Sequence, residues 1–291
     1  MVGGGAYMSK TGLILEGGAM RGLFTAGVTD VLMENGITFD GGIGVSAGAT
    51  FGCNYKSHQI GRTYEYNIKY CDDERYGSWK SFFKTGDVYE ADFCYNMIPN
   101  ELEPFDYETF EKNPMEFYYV ATDVETGKAV YHKATTGKDE DLLWVRASAS
   151  MPIVSQIVEV DGYKLLDGGI SDSIPIRFFE SIGYDHNVVI LTQPRNFVKE
   201  KNSLLPIIRI SLKDYPKCIE AIEKRHHVYN ETTFYIKGRE ALGHCLVIQP
   251  EEPLNISAME DNPEEIDRVY QLGRKAGEKY LEPVKAFLNK K

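Results

Sequence analysis

The chain has 291 residues, 43% of them hydrophobic, enough to bury a substantial core in one large domain or in a domain with an extension. Its formal charge of −11 argues against a nucleic-acid binder, because phosphate contacts need a basic footprint. No apolar run is long enough to cross a bilayer, and the opening MVGGGAYMSK lacks the basic start and apolar middle of a secretory signal, so the expectation is a soluble, cytoplasmic protein.

In chain order, TGLILEGG reads as a short apolar strand entering a glycine turn, and GLFTAGVTDVLMENG as a helix. Leu23, Phe24, Val28, Val31 and Leu32 recur at helical spacing, and Asn35-Gly36 supplies the stop. A second strand ends in GIGVSAGA, and the segment after Ser46 reads as helical through about Tyr70. Two successive strand–turn–helix units predict an α/β fold with a mostly parallel central sheet flanked by helices. FYYVATDVETGKAVYH reads as a hairpin around Thr126-Gly127, followed by strands near Tyr163–Leu166 and at NVVILTQP. From about Leu204 the pattern is helical, interrupted by HCLVIQP as a strand. The end, from Pro263 to Leu288, reads as one long amphipathic helix with Pro263 in its first turn and Glu264 and Glu265 at the positive end of its dipole.

Gly44-Val45-Ser46-Ala47-Gly48 fits G-x-S-x-G, in which a tight strand-to-helix turn pushes the serine hydroxyl outward. The N–H of Ala47, at the helix start, suits an oxyanion donor, while the rival reading is a glycine turn with a serine cap. Gly17-Gly18-Ala19-Met20-Arg21-Gly22 lies between the first strand and helix, where exposed N–H groups can gather around an anion. It fits no nucleotide-phosphate motif, since Leu23 stands where a lysine is needed. Arg21 either orients this loop or contacts a substrate phosphate, or is a solvated or salt-bridged side chain near a helix start. Asp167-Gly168-Gly169 follows the strand YKLL, so Asp167 is a candidate base presented by a glycine turn, against the alternative of a plain Asp-Gly turn. The histidines His58, His132, His186, His226, His227 and His244 are poorer candidates, most of them lying in segments that read as helical. The cysteines Cys53, Cys71, Cys94, Cys218 and Cys245 show no metal-ligand spacing, so reduced thiols and no zinc site are expected. Asp72-Asp73-Glu74 reads as a solvated face.

Taken together and in this order, GGAMRG, GVSAG and DGG, with ASASMPI at 147–153 upstream of the aspartate, resemble the patatin-like phospholipase family. The segments LLPIIRISLKDYP, RHHVYN and HCLVIQP look like a bacterial subgroup with a helical C-terminal extension. The resemblance implies a three-layer sandwich, with a catalytic domain over 10–200 and a mainly helical extension over 201–291. It implies a Ser–Asp dyad of Ser46 and Asp167, with oxyanion donors in the backbone of Gly17, Gly18 and Ala19. The implied activity is hydrolysis of lipid acyl esters without metal or cofactor. A lipid transacylase and a catalytically weak lipid-binding protein are the alternatives. The chain departs from the family at Ala19, where a third glycine is common. Two segments suggest transient contact with a membrane surface, SWKSFFK at 78–84 and the stretch 195–217, which carries Arg195, Lys199, Lys201, Arg209, Lys213 and Lys217 against Glu200 and Asp214. In both, packing on the domain is an equal reading. Oligomeric state is not legible.

Overall fold

A computed structural model describes residues 10–289; the start of the opening segment, through residue 9, lies outside the described residues. Eight strands form a single sheet in the order β5-β6-β3-β2-β1-β7-β8, with β4 paired to β3. The strands are β1 (Thr11–Leu15), β2 (Gly41–Val45), β3 (Glu116–Asp123), β4 (Ala129–Lys133), β5 (Val158–Val160), β6 (Tyr163–Asp167), β7 (His186–Ile190) and β8 (Cys245–Ile248). The run β3-β2-β1-β7-β8 is parallel throughout, while β4, β5 and β6 add antiparallel pairings at one side.

The parallel strands are apolar on both faces, and their alternate residues enter two different cores, as a sheet covered on both sides requires. Leu13 and Leu15 pack with α1 (Gly22–Glu34), α2 (Ala47–Lys56) and α10 (Pro263–Leu288), whereas Ile14, Ile43 and Val45 pack with α7 (Ile176–Ser181) and α9 (Pro216–Ala241). Helix, sheet and helix make three layers, as the sequence implies. The hairpin at Thr126-Gly127 and the terminal helix form where expected.

Three features differ from the expectation. The helix after Ser46 is two helices, because His58 and Gly61 adopt positive φ (54° and 78°) and break it before α3 (Arg62–Tyr70). The segment between α3 and β3, which carries little periodicity, folds as α4 (Trp79–Thr85), a wide-turned π-helical stretch at Phe93–Leu102, and α5 (Tyr107–Lys112). Pro99 inside the π-helical stretch cannot donate to a regular ladder, which suits the widened turn. α6 (Glu140–Ser148) precedes β5, and α8 (Leu205–Ser211) follows β7. Finally, the region after residue 201 does more than pack on the sheet. It contributes β8, paired in register with β7, and lays α10 along α1.

Candidate active site

The register of the sheet assembles the site. Val45 is paired with Val120 on β3, and Ala121, the next residue of β3, is paired with Asp167 on β6. β4 occupies the other edge of β3, so β2 and β6 follow one another along the same edge, and Ser46, one step beyond Val45, comes level with Ala121 and meets Asp167 there. On the other side of β2, Leu15 is paired with Gly44, so Gly17 comes level with Ser46. Three motifs spread over more than half of the chain fall on one row at the carboxyl edge of the parallel strands, the edge where α/β sheets bind ligands.

Ser46 links β2 to α2 with φ 55° and ψ −122°, a conformation that costs about 1–3 kcal/mol and persists only when its surroundings impose it. A side chain on Gly44 would meet the carbonyl oxygen of Gly48 at 2.2 Å, and one on Gly48 would meet that of Leu15 at 2.3 Å. The two glycines of the motif are thus what allow strand and helix to approach so closely. The Ser46 N–H donates to Ser148 Oγ at 2.9 Å, and the Asp167 N–H donates to the Ser150 carbonyl at 2.8 Å. The ASAS stretch of the sequence thereby tethers both members of the pair.

Asp167 is buried, and burial raises its pKa above the usual carboxylate value; a hydrogen bond from the Ser46 side chain, the nearby Arg225 cation and the Gly169 N–H act in the opposite direction. The Gly169 N–H reaches Asp167 Oδ1 at 2.7 Å. The result is a desolvated carboxylate facing a serine hydroxyl.

The loop from Gly17 is held by its carbonyls: Gly17 accepts from Thr192 Oγ1 at 2.9 Å and Gly18 from the Arg21 N–H at 3.1 Å. Ala19 takes φ 49°, the region that its departure from glycine makes costly, by about 1–2 kcal/mol. Arg21 lies against Gly18, and its Nε is buried without a hydrogen-bond partner.

From Ser46 an apolar cavity runs between α2, α6 and the π-helical stretch. Its lining includes Ala19, Met20, Ala47, Phe51, Tyr66, Tyr95, Ile98, Phe105, Tyr119, Val145, Ala149 and Met151.

The histidines are placed differently from the expectation. Only His226 and His227 lie within a helix; His132 and His186 are on β4 and β7, and His58 and His244 in turns. His132 is committed to Asp141 at 2.6 Å and stacks on Trp144. Asp73 pairs with Arg75 at 2.7 Å.

Residues that carry no sequence motif complete the surroundings. Glu16, fully buried at the end of β1, accepts from the Thr192 N–H at 2.6 Å and the Tyr229 hydroxyl at 2.7 Å. Arg225 Nε donates to the Gly169 carbonyl, and Asn230 holds the backbone of Lys199 at 2.8 and 3.0 Å. All three anchors, Arg225, Tyr229 and Asn230, come from α9.

The protein is thus an α/β protein with a serine elbow and an aspartate turn on the carboxyl edge of a mostly parallel sheet, beside an apolar cavity. The chain belongs to the patatin-like phospholipase family, whose profile spans residues 13–179; a domain of unknown function, DUF6363, spans 215–289. Uncharacterized protein YjjU of Escherichia coli (strain K12) is 25% identical over 288 residues, covering 97% of this chain and 80% of that protein. Lysophospholipase nte1 of Aspergillus terreus is 24% identical over 301 residues, covering 95% of this chain and 18% of that protein, so the chain spans less than a fifth of this relative. VipD from Legionella pneumophila superposes with a TM-score of 0.46 at 16% identity, covering 94% of this chain and 67% of that one.

Proposed function

We propose that the chain hydrolyses lipid acyl esters through a Ser46–Asp167 dyad. The observation that carries this reading is the alignment of Ser46 and Asp167 on one row of the sheet, with Ser46 on the lining of an apolar cavity. Ser46 Oγ attacks the ester carbonyl while Asp167 takes its proton; the carbonyl carbon gains the Oγ bond and its oxygen takes the negative charge. The N–H groups of Gly17, Gly18, Ala19 and Ala47 are the donors assigned to that oxyanion. Collapse expels the alcohol, which receives the proton from Asp167, and leaves the acyl chain on Ser46 and in the cavity. Water, deprotonated by Asp167, then releases the fatty acid and restores the serine.

The test is labelling by a fluorophosphonate and turnover of a medium-chain p-nitrophenyl ester. Ser46→Ala should abolish both, and Asp167→Asn should lower turnover by about 10³-fold or more. Turnover surviving in both variants would end the assignment.

No helix among the described residues is long and apolar enough to cross a membrane. Transient contact with a membrane surface is supported by Trp79 and Phe83 on α4 (53% and 83% exposed) and by Ile207 and Ile210 on α8 (52% and 75%). Vesicle co-sedimentation should fall about tenfold with Phe83→Ser.

A further inference from the structure

Three cations, none of them lining the apolar cavity, gather around the candidate site. Arg21 lies against Gly18, Arg225 reaches over Gly169, and Lys199, on the segment after β7, feels the charges of both. All three side chains are half-buried and so retain a path to solvent. The carboxylates among them are Glu16 and Asp167, and both are already engaged: Glu16 by Thr192 and Tyr229, Asp167 by Ser46 and the Gly169 N–H. Burial moves both acids toward their neutral forms. Burial also lowers Lys199 to about 8, with Arg225 and Arg21 acting in the same direction and Glu16 against it. The cluster is therefore an excess of positive charge inside a chain whose formal charge is −11. Cations assembled at a cost in repulsion and desolvation, with a guanidinium nitrogen left unpartnered, form a ready receptor for an anion.

The aromatic surface nearby narrows the anion's chemistry. Lys199 Nζ sits 4.8 Å from the centre of the Tyr229 ring and 5.8 Å from that of Phe197. The faces that would cradle a quaternary ammonium are thus occupied by the protein's own cation. A phosphocholine head would bring its trimethylammonium against like charges, whereas a phosphate monoester, carrying close to two charges at neutral pH, would not.

We propose that Arg21, Lys199 and Arg225 form a headgroup subsite that selects acyl glycerols ending in a phosphate monoester over those ending in phosphocholine or a free hydroxyl. It rests on the hydrolase reading for the seat of the acyl chain, in the cavity beyond Ser46. Lys199 and Arg225 both lie outside residues 13–179, so two of the three cations come from the C-terminal part of the chain.

The test is isothermal titration of the Ser46→Ala protein with three monomeric lipids of one acyl chain: 1-acylglycerol 3-phosphate, 1-acylglycerophosphocholine and 1-acylglycerol. Inorganic phosphate is the fourth titrant. The phosphate monoester should bind about tenfold or more tightly than either other lipid, as a lost charge-assisted hydrogen bond would predict. Lys199→Met should remove most of that advantage, Lys199→Met with Arg225→Met all of it, and Lys199→Arg should keep it. Lys199→Gln replaces the methionine variant if the latter does not melt cooperatively. Equal affinity for the phosphate monoester and phosphocholine lipids, or an advantage unchanged in both methionine variants, overturns the proposal. Inorganic phosphate binding as tightly as the lipid would make this a free-anion site and overturn the headgroup assignment. Because binding is read on a protein without its nucleophile, failure of the hydrolase reading shows separately, as an inert wild type in the ester assay.

Discussion

Helices α9 and α10 both have 26 residues and both open on proline, yet they are attached to the molecule by opposite means. α10 lies on α1 through close backbone contact: a side chain on Gly273 would meet the Phe24 carbonyl oxygen at 2.1 Å, and one on Gly27 that of Tyr270 at 2.2 Å. Around this crossing Ile266, Val269, Val284 and Phe287 are buried, with one buried polar link from the Tyr270 hydroxyl to Asp30 at 2.7 Å. α9 has a weaker apolar stripe and is tied to the site through side chains that end in charge or hydroxyl, Arg225 to Gly169, Tyr229 to Glu16 and Asn230 to Lys199. Helices of equal length can thus serve different ends. Backbone proximity holds the fold together, and long polar side chains reach across to trim the chemistry.

Changes to α10 should therefore act on stability and changes to α9 on the site. The largest effect is expected from Gly273→Leu, whose branched side chain has no room at the crossing. Overpacking against backbone should cost about 3 kcal/mol or more in urea unfolding, while the folded fraction keeps its KM for a soluble ester. An unfolding midpoint like the parent's would mean that α10 is loosely laid on α1.

Second in size is a pH effect at the same crossing. Burial raises Asp30 to about 6, against hydrogen bonds from Tyr270 and the Gly61 N–H and the Arg274 charge. A raised folded pKa contributes stability that is present below the ordinary carboxylate range and lost as pH climbs through about 6. Asp30→Asn keeps an acceptor for Tyr270 and escapes that loss. The difference in unfolding free energy between variant and parent should grow by up to about 3 kcal/mol between about pH 4 and pH 7. A difference that stays constant across that range would show that Asp30 is not desolvated.

On α9, Tyr229→Phe removes a hydroxyl from a buried carboxylate and should cost about 1–2 kcal/mol. It should also lower kcat, because Glu16 immediately precedes the loop assigned to the oxyanion. An unchanged kcat would restrict α9 to a structural part. The smallest effect is on a pH profile. Arg225 holds the Asp167 pKa down, so Arg225→Gln should let it rise. The base then stays protonated to higher pH, and the acid limb of kcat/KM should move upward. A limb that does not move would mean that the Arg225 charge is screened from the dyad.

The same contrast explains what was legible in the sequence. The turns at Ser46 and Asp167 could be read because their chemistry is local: glycines where strand meets helix, and an aspartate opening a glycine turn. The apolar face of α10 could be read because its period is internal to one helix. Glu16 could not, since its partners Thr192 and Tyr229 lie 176 and 213 residues away, and no local pattern separates it from any glutamate after a strand. Nor could Ser148 be read as the acceptor for the Ser46 N–H, 102 residues apart. The cavity wall at Phe93–Leu102 escaped for another reason, since Pro99 breaks the periodicity that would have announced a helix. The place of β8 at the sheet edge depends on pairing, which no strand declares by itself.

The row that aligns Gly17, Ser46 and Asp167 is set by hydrogen bonds between backbones, whereas the cavity beyond it is set by side chains of α2, α6 and the π-helical stretch. Chemistry and substrate fit are therefore specified by different kinds of atoms. The lining can be rebuilt, residue by residue, while the ladder keeps the turns at Ser46 and Asp167 side by side.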